Sequence, residues 1–158
     1  MIPIQLEING QTIEMEVAPD LTLMDLLRAV GMSSVKKGCG EGECGACGVL
    51  LDGLYVKSCL VLAAQANGRR VETVESLGSV ENPHPLQTAF VEAGAVQCGF
   101  CIPSMLLASK SLIERHPEPT EEEIREGLDG NLCRCTGYVK QIEAVRNAAA
   151  VMKEEHHD

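Results

Sequence analysis

The sequence predicts an α+β chain, a small strand-and-helix domain over residues 1–77 followed by an all-α four-helix domain over residues 78–158. Three observations predict it. Apolar residues alternate with polar ones in the first half, every periodic segment after residue 85 has helical spacing, and each half carries four of the eight cysteines.

Ile4, Leu6 and Ile8 alternate with polar residues, Asn9-Gly10 supplies a two-residue turn, and Ile13, Met15 and Val17 alternate again, so the chain opens on a β-hairpin. Thr22 can cap a helix whose apolar residues Leu23, Leu26, Leu27 and Val30 share one face, with Gly31 placed to end it. A glycine-rich loop over residues 38–48 carries three cysteines. Val49 to Leu51, Asp52-Gly53 and residues 54–57 read as a second hairpin, and residues 70–74 as a further strand. Residues 76–85, with Gly78, Asn82, Pro83 and Pro85, have linker composition and no periodicity, which sets the domain boundary. Four helices follow. The first covers residues 85–92 and ends near Gly94, and the second covers residues 103–115, with Pro103 in its first turn and Pro117 beyond its end. Thr120 and Glu123 form a capping box for the third, which ends near Gly130. The last, over residues 138–153, sets Val139, Ile142, Val145, Ala149 and Met152 on one face.

A chain of 158 residues split into two small domains buries little surface in each, and with no Trp, two Phe and two Tyr the cores must be thin and aliphatic. Something besides burial has to help hold such domains. The formal charge of −10 argues against nucleic acid, whose phosphates require a basic face. The acidic runs at residues 121–123 and 154–155 read as solvated surface. The N-terminus, MIPIQLEING, lacks the basic start and apolar run of a secretion signal, and no stretch is long enough to span a membrane. The thiols are therefore expected in a reducing cytoplasm, where disulfides are rare.

The first cysteine set is Cys39-x4-Cys44-x2-Cys47, with Cys59 following past the second hairpin. Its opening spacing is that of plant-type [2Fe–2S] proteins. A loop around two irons must turn sharply while aiming backbone N–H groups at sulfur, and Gly38, Gly40, Gly42, Gly45 and Gly48 permit the angles this needs. The second set is Cys98-x2-Cys101 and Cys133-x-Cys135, one pair at a helix start and the other in a turn before the last helix. Cysteines near helix N-termini are more easily deprotonated, whichever metal they bind.

Two structural zinc sites would also need two four-cysteine sets. Against zinc, a triplet inside a glycine-rich loop is unlike paired zinc knuckles, and a Cys-x-Cys pair strains a tetrahedral site. Disulfides require an oxidising compartment, and a CxxC redox dithiol at Cys98 and Cys101 would leave Cys133 and Cys135 without a role. His84, His116, His156 and His157 stand away from the cysteines and read as surface residues, which disfavours mixed ligation. The chain shows no phosphate loop, nucleophile elbow or acid–base pair, so no substrate site is expected in it.

Three linked motifs, GCGEGECGAC at residues 38–47, QCGFCIP at residues 97–103 and GNLCRCTGY at residues 130–138, resemble the small iron–sulfur subunit of the xanthine dehydrogenase (molybdenum hydroxylase) family, in order and over almost the whole chain. The resemblance implies a β-grasp, plant-type ferredoxin-like domain with an outer [2Fe–2S] cluster on Cys39, Cys44, Cys47 and Cys59, and a four-helix domain with an inner one on Cys98, Cys101, Cys133 and Cys135. It further implies that Gln97 and Cys135 lie against a molybdopterin held by a large partner subunit, and that electrons pass to FAD on a medium subunit of a hetero-oligomer. Purine oxidation is the commonest choice among the family's substrate classes. An iron–sulfur subunit of a flavin-dependent amine or amino-acid dehydrogenase, and a zinc-stabilised interaction module, are the alternatives. Two departures stand out: Gly48 where the family has Thr or Ser, and Ile102-Pro103-Ser104 where it has Thr-Pro-Gly. Each is expected to alter a cluster potential.

Overall fold

The computed structural model describes residues 1–155, so His156 and His157, read above as surface residues, lie outside the described residues. Strands β1 (Ile2–Ile8) and β2 (Gln11–Val17) pair antiparallel from Ile2 opposite Val17 to Ile8 opposite Gln11. Their turn works because Asn9 and Gly10 both take positive φ, the requirement of a two-residue hairpin whose twist matches its strands. Thr22 caps helix α1 (Leu23–Ala29) by accepting from the Asp25 N–H. Strands β3 (Gly48–Leu51) and β4 (Leu54–Lys57) form the second hairpin around Asp52 and Gly53.

Strand β5 (Arg70–Glu72) ends two residues earlier than predicted. Thr73 turns out of the strand to bond Asn9, and a short 3-10 turn covers Val74–Ser76. The five strands lie in the order β2-β1-β5-β3-β4, with β1 parallel to β5 and the remaining pairs antiparallel. Parallel neighbours need a crossover, and α1 supplies it across one face, burying Leu23, Leu26 and Leu27 against Ile4, Leu6, Ile8 and Val71. Each such leucine, fully buried, contributes about 2 kcal/mol. The sheet with one crossing helix is the β-grasp arrangement that the resemblance implied.

Four helices follow: α2 (Pro85–Glu92), α3 (Ile102–Arg115), α4 (Glu121–Leu128) and α5 (Val139–Glu155). His84 is half-buried and caps α2, accepting from the Leu86 N–H at 3.2 Å, so it is part of the helix start rather than a free surface residue. The capping box of Thr120 and Glu123 is present in α4. Leu86, Phe90, Met105, Leu112, Ile124 and Val145 form a second core, separate from the sheet's. Val139 does not share the inward face predicted for it; it is 67% exposed at the first residue of α5, where the turn carrying Cys135 holds it outward.

The two lobes meet along α3 and β3. Every residue of β3 is buried, Val49 and Leu51 in the α1 core and Leu50 on the opposite side, where α3 packs. Lys110 pairs with Glu72 at 3.3 Å, and the Ser111 hydroxyl donates to the Gly53 carbonyl at 3.3 Å, so α3 is tied to the sheet domain at two further points.

Candidate metal centres

All eight cysteines are free thiols gathered in two groups. In the outer group the loop between α1 and β3 brings Cys39, Cys44 and Cys47 together, and the 3-10 turn after β4 adds Cys59. Positive φ at Gly40, Gly42 and Gly45 folds the loop back on itself. The N–H groups of Glu41 and Cys44 then point at the Cys39 sulfur, each at 3.4 Å, and the Cys39 N–H points at the Cys44 sulfur at 3.4 Å. A ring of backbone donors stabilises thiolate charge. Those of Cys44 and Glu41 bring the exposed Cys39 thiol down to about 6. Cys59 is pushed up to about 11 by burial and by its neighbour Cys47.

In the inner group Cys98 and Cys101 precede α3, and Cys133 and Cys135 occupy the turn before α5. Cys98 and Cys135 sulfurs lie 3.5 Å apart at the surface. Cys101 is pushed up to about 12 by burial and by Cys133 beside it. Burial also pushes Cys133 up, but the Thr136 hydroxyl, donating at 3.2 Å, and the N–H groups of Cys135 and Thr136 outweigh it, bringing the thiol down to about 7. The turn fixes itself: Tyr138, at positive φ, has its hydroxyl accept from the Cys133 N–H at 2.9 Å. Gln97, at the rim, donates its amide to the Cys135 carbonyl at 3.3 Å.

The donor chemistry fits an iron–sulfur cluster. Both sets are all-sulfur, and each pairs an easily ionised thiol with a buried one whose anion is costly until a cationic core offsets it. The sulfurs associate two by two, Cys47 with Cys59, Cys98 with Cys135 and Cys101 with Cys133. A two-iron cluster uses thiolates in such pairs, two per iron.

Between the groups lies a node that the sequence did not reveal. The Tyr55 hydroxyl is 2.5 Å from Asn131 Oδ1, 2.6 Å from Ser104 Oγ and 3.2 Å from the Gly45 carbonyl; Ser104 also bonds that carbonyl and, at 2.9 Å, Asn131 Oδ1. Burial raises the Tyr55 hydroxyl to about 12, so it stays a neutral donor at physiological pH. Beside it the Leu132 N–H donates to the Cys44 carbonyl at 2.9 Å. Gly45, Asn131 and Leu132 neighbour cysteines of both groups, so the node clamps one cysteine loop to the other. The two departures seen in the sequence prove to be in contact: a Cβ on Gly48 would stand 2.2 Å from the Tyr55 hydroxyl and 2.4 Å from Ser104 Oγ. Tyr55 and Ser104 together fill the space that a side chain at position 48 would take. The two positions are 56 residues apart in the sequence and meet only in the fold.

Comparison with known proteins places the chain. Residues 6–74 match the model of the 2Fe-2S iron-sulfur cluster binding domain, and residues 73–146 that of the [2Fe-2S] binding domain. The nicotinate dehydrogenase small FeS subunit of Eubacterium barkeri is 49% identical over 148 residues, 93% of this chain and 94% of the relative. The xanthine dehydrogenase iron-sulfur-binding subunit of Escherichia coli O157:H7 is 44% identical over 146 residues, 91% and 92% of the two chains. A chain of the quinoline 2-oxidoreductase crystal structure from Pseudomonas putida 86 superposes with a TM-score of 0.91 at 42% identity, covering 97% of this chain and 96% of that one. With two iron–sulfur domains in this order and relatives at this identity along nearly its full length, the chain belongs to the small iron–sulfur subunits of the xanthine dehydrogenase, or molybdenum hydroxylase, family.

Proposed function

We propose that Cys39, Cys44, Cys47 and Cys59 hold an outer [2Fe–2S] cluster and Cys98, Cys101, Cys133 and Cys135 an inner one, in domains that divide near Leu77. The chain relays electrons from a molybdopterin centre on a large partner subunit, against which Gln97 and Cys135 lie, towards FAD on a medium subunit. The observation that carries this reading is the pair of all-thiol groups, clamped together by the Tyr55 node and each reaching the surface, the outer at Cys39 and the inner at Cys98 and Cys135. Each cluster, when bound, takes up one electron at a time, so the relay divides the electron pair that hydroxylation releases. The protein's part is to fix positions and potentials: backbone N–H groups, the Thr136 hydroxyl and the burial of Cys59 and Cys101 do this.

Nicotinate, xanthine and quinoline, named in the relatives above, are all nitrogen heteroaromatics. The holoenzyme's substrate is therefore read as a nitrogen heterocycle, purines included, bound in the large subunit. Among the described residues no helix is long and apolar enough to cross a membrane, and eight cysteines kept as cluster ligands suit a reducing cytoplasm.

Anaerobic purification, iron and acid-labile sulfide counting, and electron paramagnetic resonance of the reduced chain test the reading. About four irons with two distinct signals are expected; bound zinc without such signals would overturn it.

A further inference from the structure

We infer that Gln141 sets the reduction potential of the inner cluster by donating an amide N–H to the Cys101 sulfur. The inference rests on the proposed assignment of Cys98, Cys101, Cys133 and Cys135 to that cluster. Gln141 stands in α5 and is 0% exposed, on a stretch of helix whose other buried residues are Ile142, Ala144, Val145, Ala148 and Ala149. Its Nε2 lies 3.7 Å from Cys101 Sγ, and its Oε1 is buried without a hydrogen-bond partner.

Packing does not account for an amide there. Taking one out of water costs free energy unless both ends find partners, and a leucine or methionine would fill a similar space without that cost. The end that has a partner is the end aimed at the sulfur. A thiolate can only accept, so the NH₂ must face Cys101 and the carbonyl must be the end left over, which is the arrangement present. The carbonyl is also the less costly end to leave unpaired.

The consequence is electrostatic. Reduction adds negative charge to the cluster and its thiolates, so a donor aimed at one of them stabilises the reduced state more than the oxidised one. Burial strengthens the effect, because the local dielectric is low around a donor that is 0% exposed and a sulfur whose residue is 8% exposed. Thr136 offers a similar bond to Cys133 from the turn, but it is part-exposed, whereas Gln141 reaches Cys101 from within the helical core.

The test uses the full chain purified with its partner subunits, titrated anaerobically and followed by electron paramagnetic resonance, which reads each cluster separately. Gln141→Met and Gln141→Leu remove the donor while keeping an apolar side chain of similar reach. In both, the inner cluster is expected to become about tenfold harder to reduce, a downward shift of about 59 mV for one electron. The outer midpoint should stay in place, and thermal stability should be equal to or above that of the unaltered chain. A stability change without a shift in the inner midpoint would make Gln141 a packing residue and overturn the inference, as would equal shifts in both clusters or loss of the inner signal in both variants. If the unaltered chain itself lacks an inner signal, the ligand assignment falls first and this inference with it.

Discussion

The two cysteine groups offer sulfur the same chemistry but surround it differently. The outer group is wrapped by a glycine loop, and the donors aimed at Cys39 and Cys44 are backbone N–H groups. The inner group sits where a helix starts and a turn ends, and it adds two side-chain donors, from Thr136 and Gln141. Backbone donors cannot be exchanged by substitution without refolding the loop, whereas side-chain donors can be changed one residue at a time. The outer environment is thus fixed by the fold, and the inner one is adjustable within it.

The largest expected effect separates the groups outright. Cys135→Ala removes one inner thiolate, and iron analysis should fall from about four to about two per chain with the outer signal retained. Disappearance of both signals would mean that the groups do not assemble independently. Next comes the clamp between them. Gly45 has positive φ, and a Cβ there would stand 2.3 Å from the Gly130 carbonyl, so Gly45→Ala should lower stability by about 3 kcal/mol in urea melts.

Gly48→Thr pushes against Tyr55 and Ser104 and should cost about 2 kcal/mol. In the double variant with Ser104→Gly, a coupling of about 1 kcal/mol should appear in the double-mutant cycle. Stability should stay below that of the unaltered chain, because Tyr55 still blocks the site at 2.2 Å. Strict additivity would show that the two positions do not share the node.

The smallest effect is a pH dependence. Glu75, at the junction of the domains, loses solvation by partial burial, yet hydrogen bonds from Ser34 and Thr73 more than compensate and hold its pKa below the ordinary 4.5. A depressed pKa contributes stability that is present above 4.5 and lost as pH falls through the folded value. Between neutral pH and the acid range the unaltered chain should therefore lose more stability than Glu75→Gln, and parallel curves would remove the carboxylate from the account.

Much of this was legible in the sequence. Hairpin turns at Asn9-Gly10 and Asp52-Gly53, the Thr22 cap and the Thr120–Glu123 box are local signals, and each appears where its residues predicted it. The grouping of the cysteines was legible from spacing, the outer triplet within a glycine loop and the inner four as two close pairs, Cys98-x2-Cys101 and Cys133-x-Cys135. The early end of β5 and the outward Val139 were not, since the first depends on Asn9, 64 residues away from Thr73, and the second on the turn that precedes α5. Gln141 was missed because its spacing matches no motif; only the packing of α5 brings it to Cys101. The Tyr55 node joins residues from four separate segments, a kind of contact that periodicity cannot signal.

The bond from the Leu132 N–H to the Cys44 carbonyl bears on how fast an electron crosses the molecule. With the ligands as proposed, Cys44 belongs to one cluster and Cys133, the residue after Leu132, to the other. A continuous route then runs from sulfur to sulfur along covalent bonds, broken by a single hydrogen bond. Tunnelling through bonded atoms decays more gently than through empty space, and although Leu132 itself is exposed, the buried Asn131 beside it bonds Ser104 and pins the bridge between the lobes. The crossing between clusters would then be set by the clamp that holds this one bond, leaving docking with partner subunits as the step that conditions can modulate.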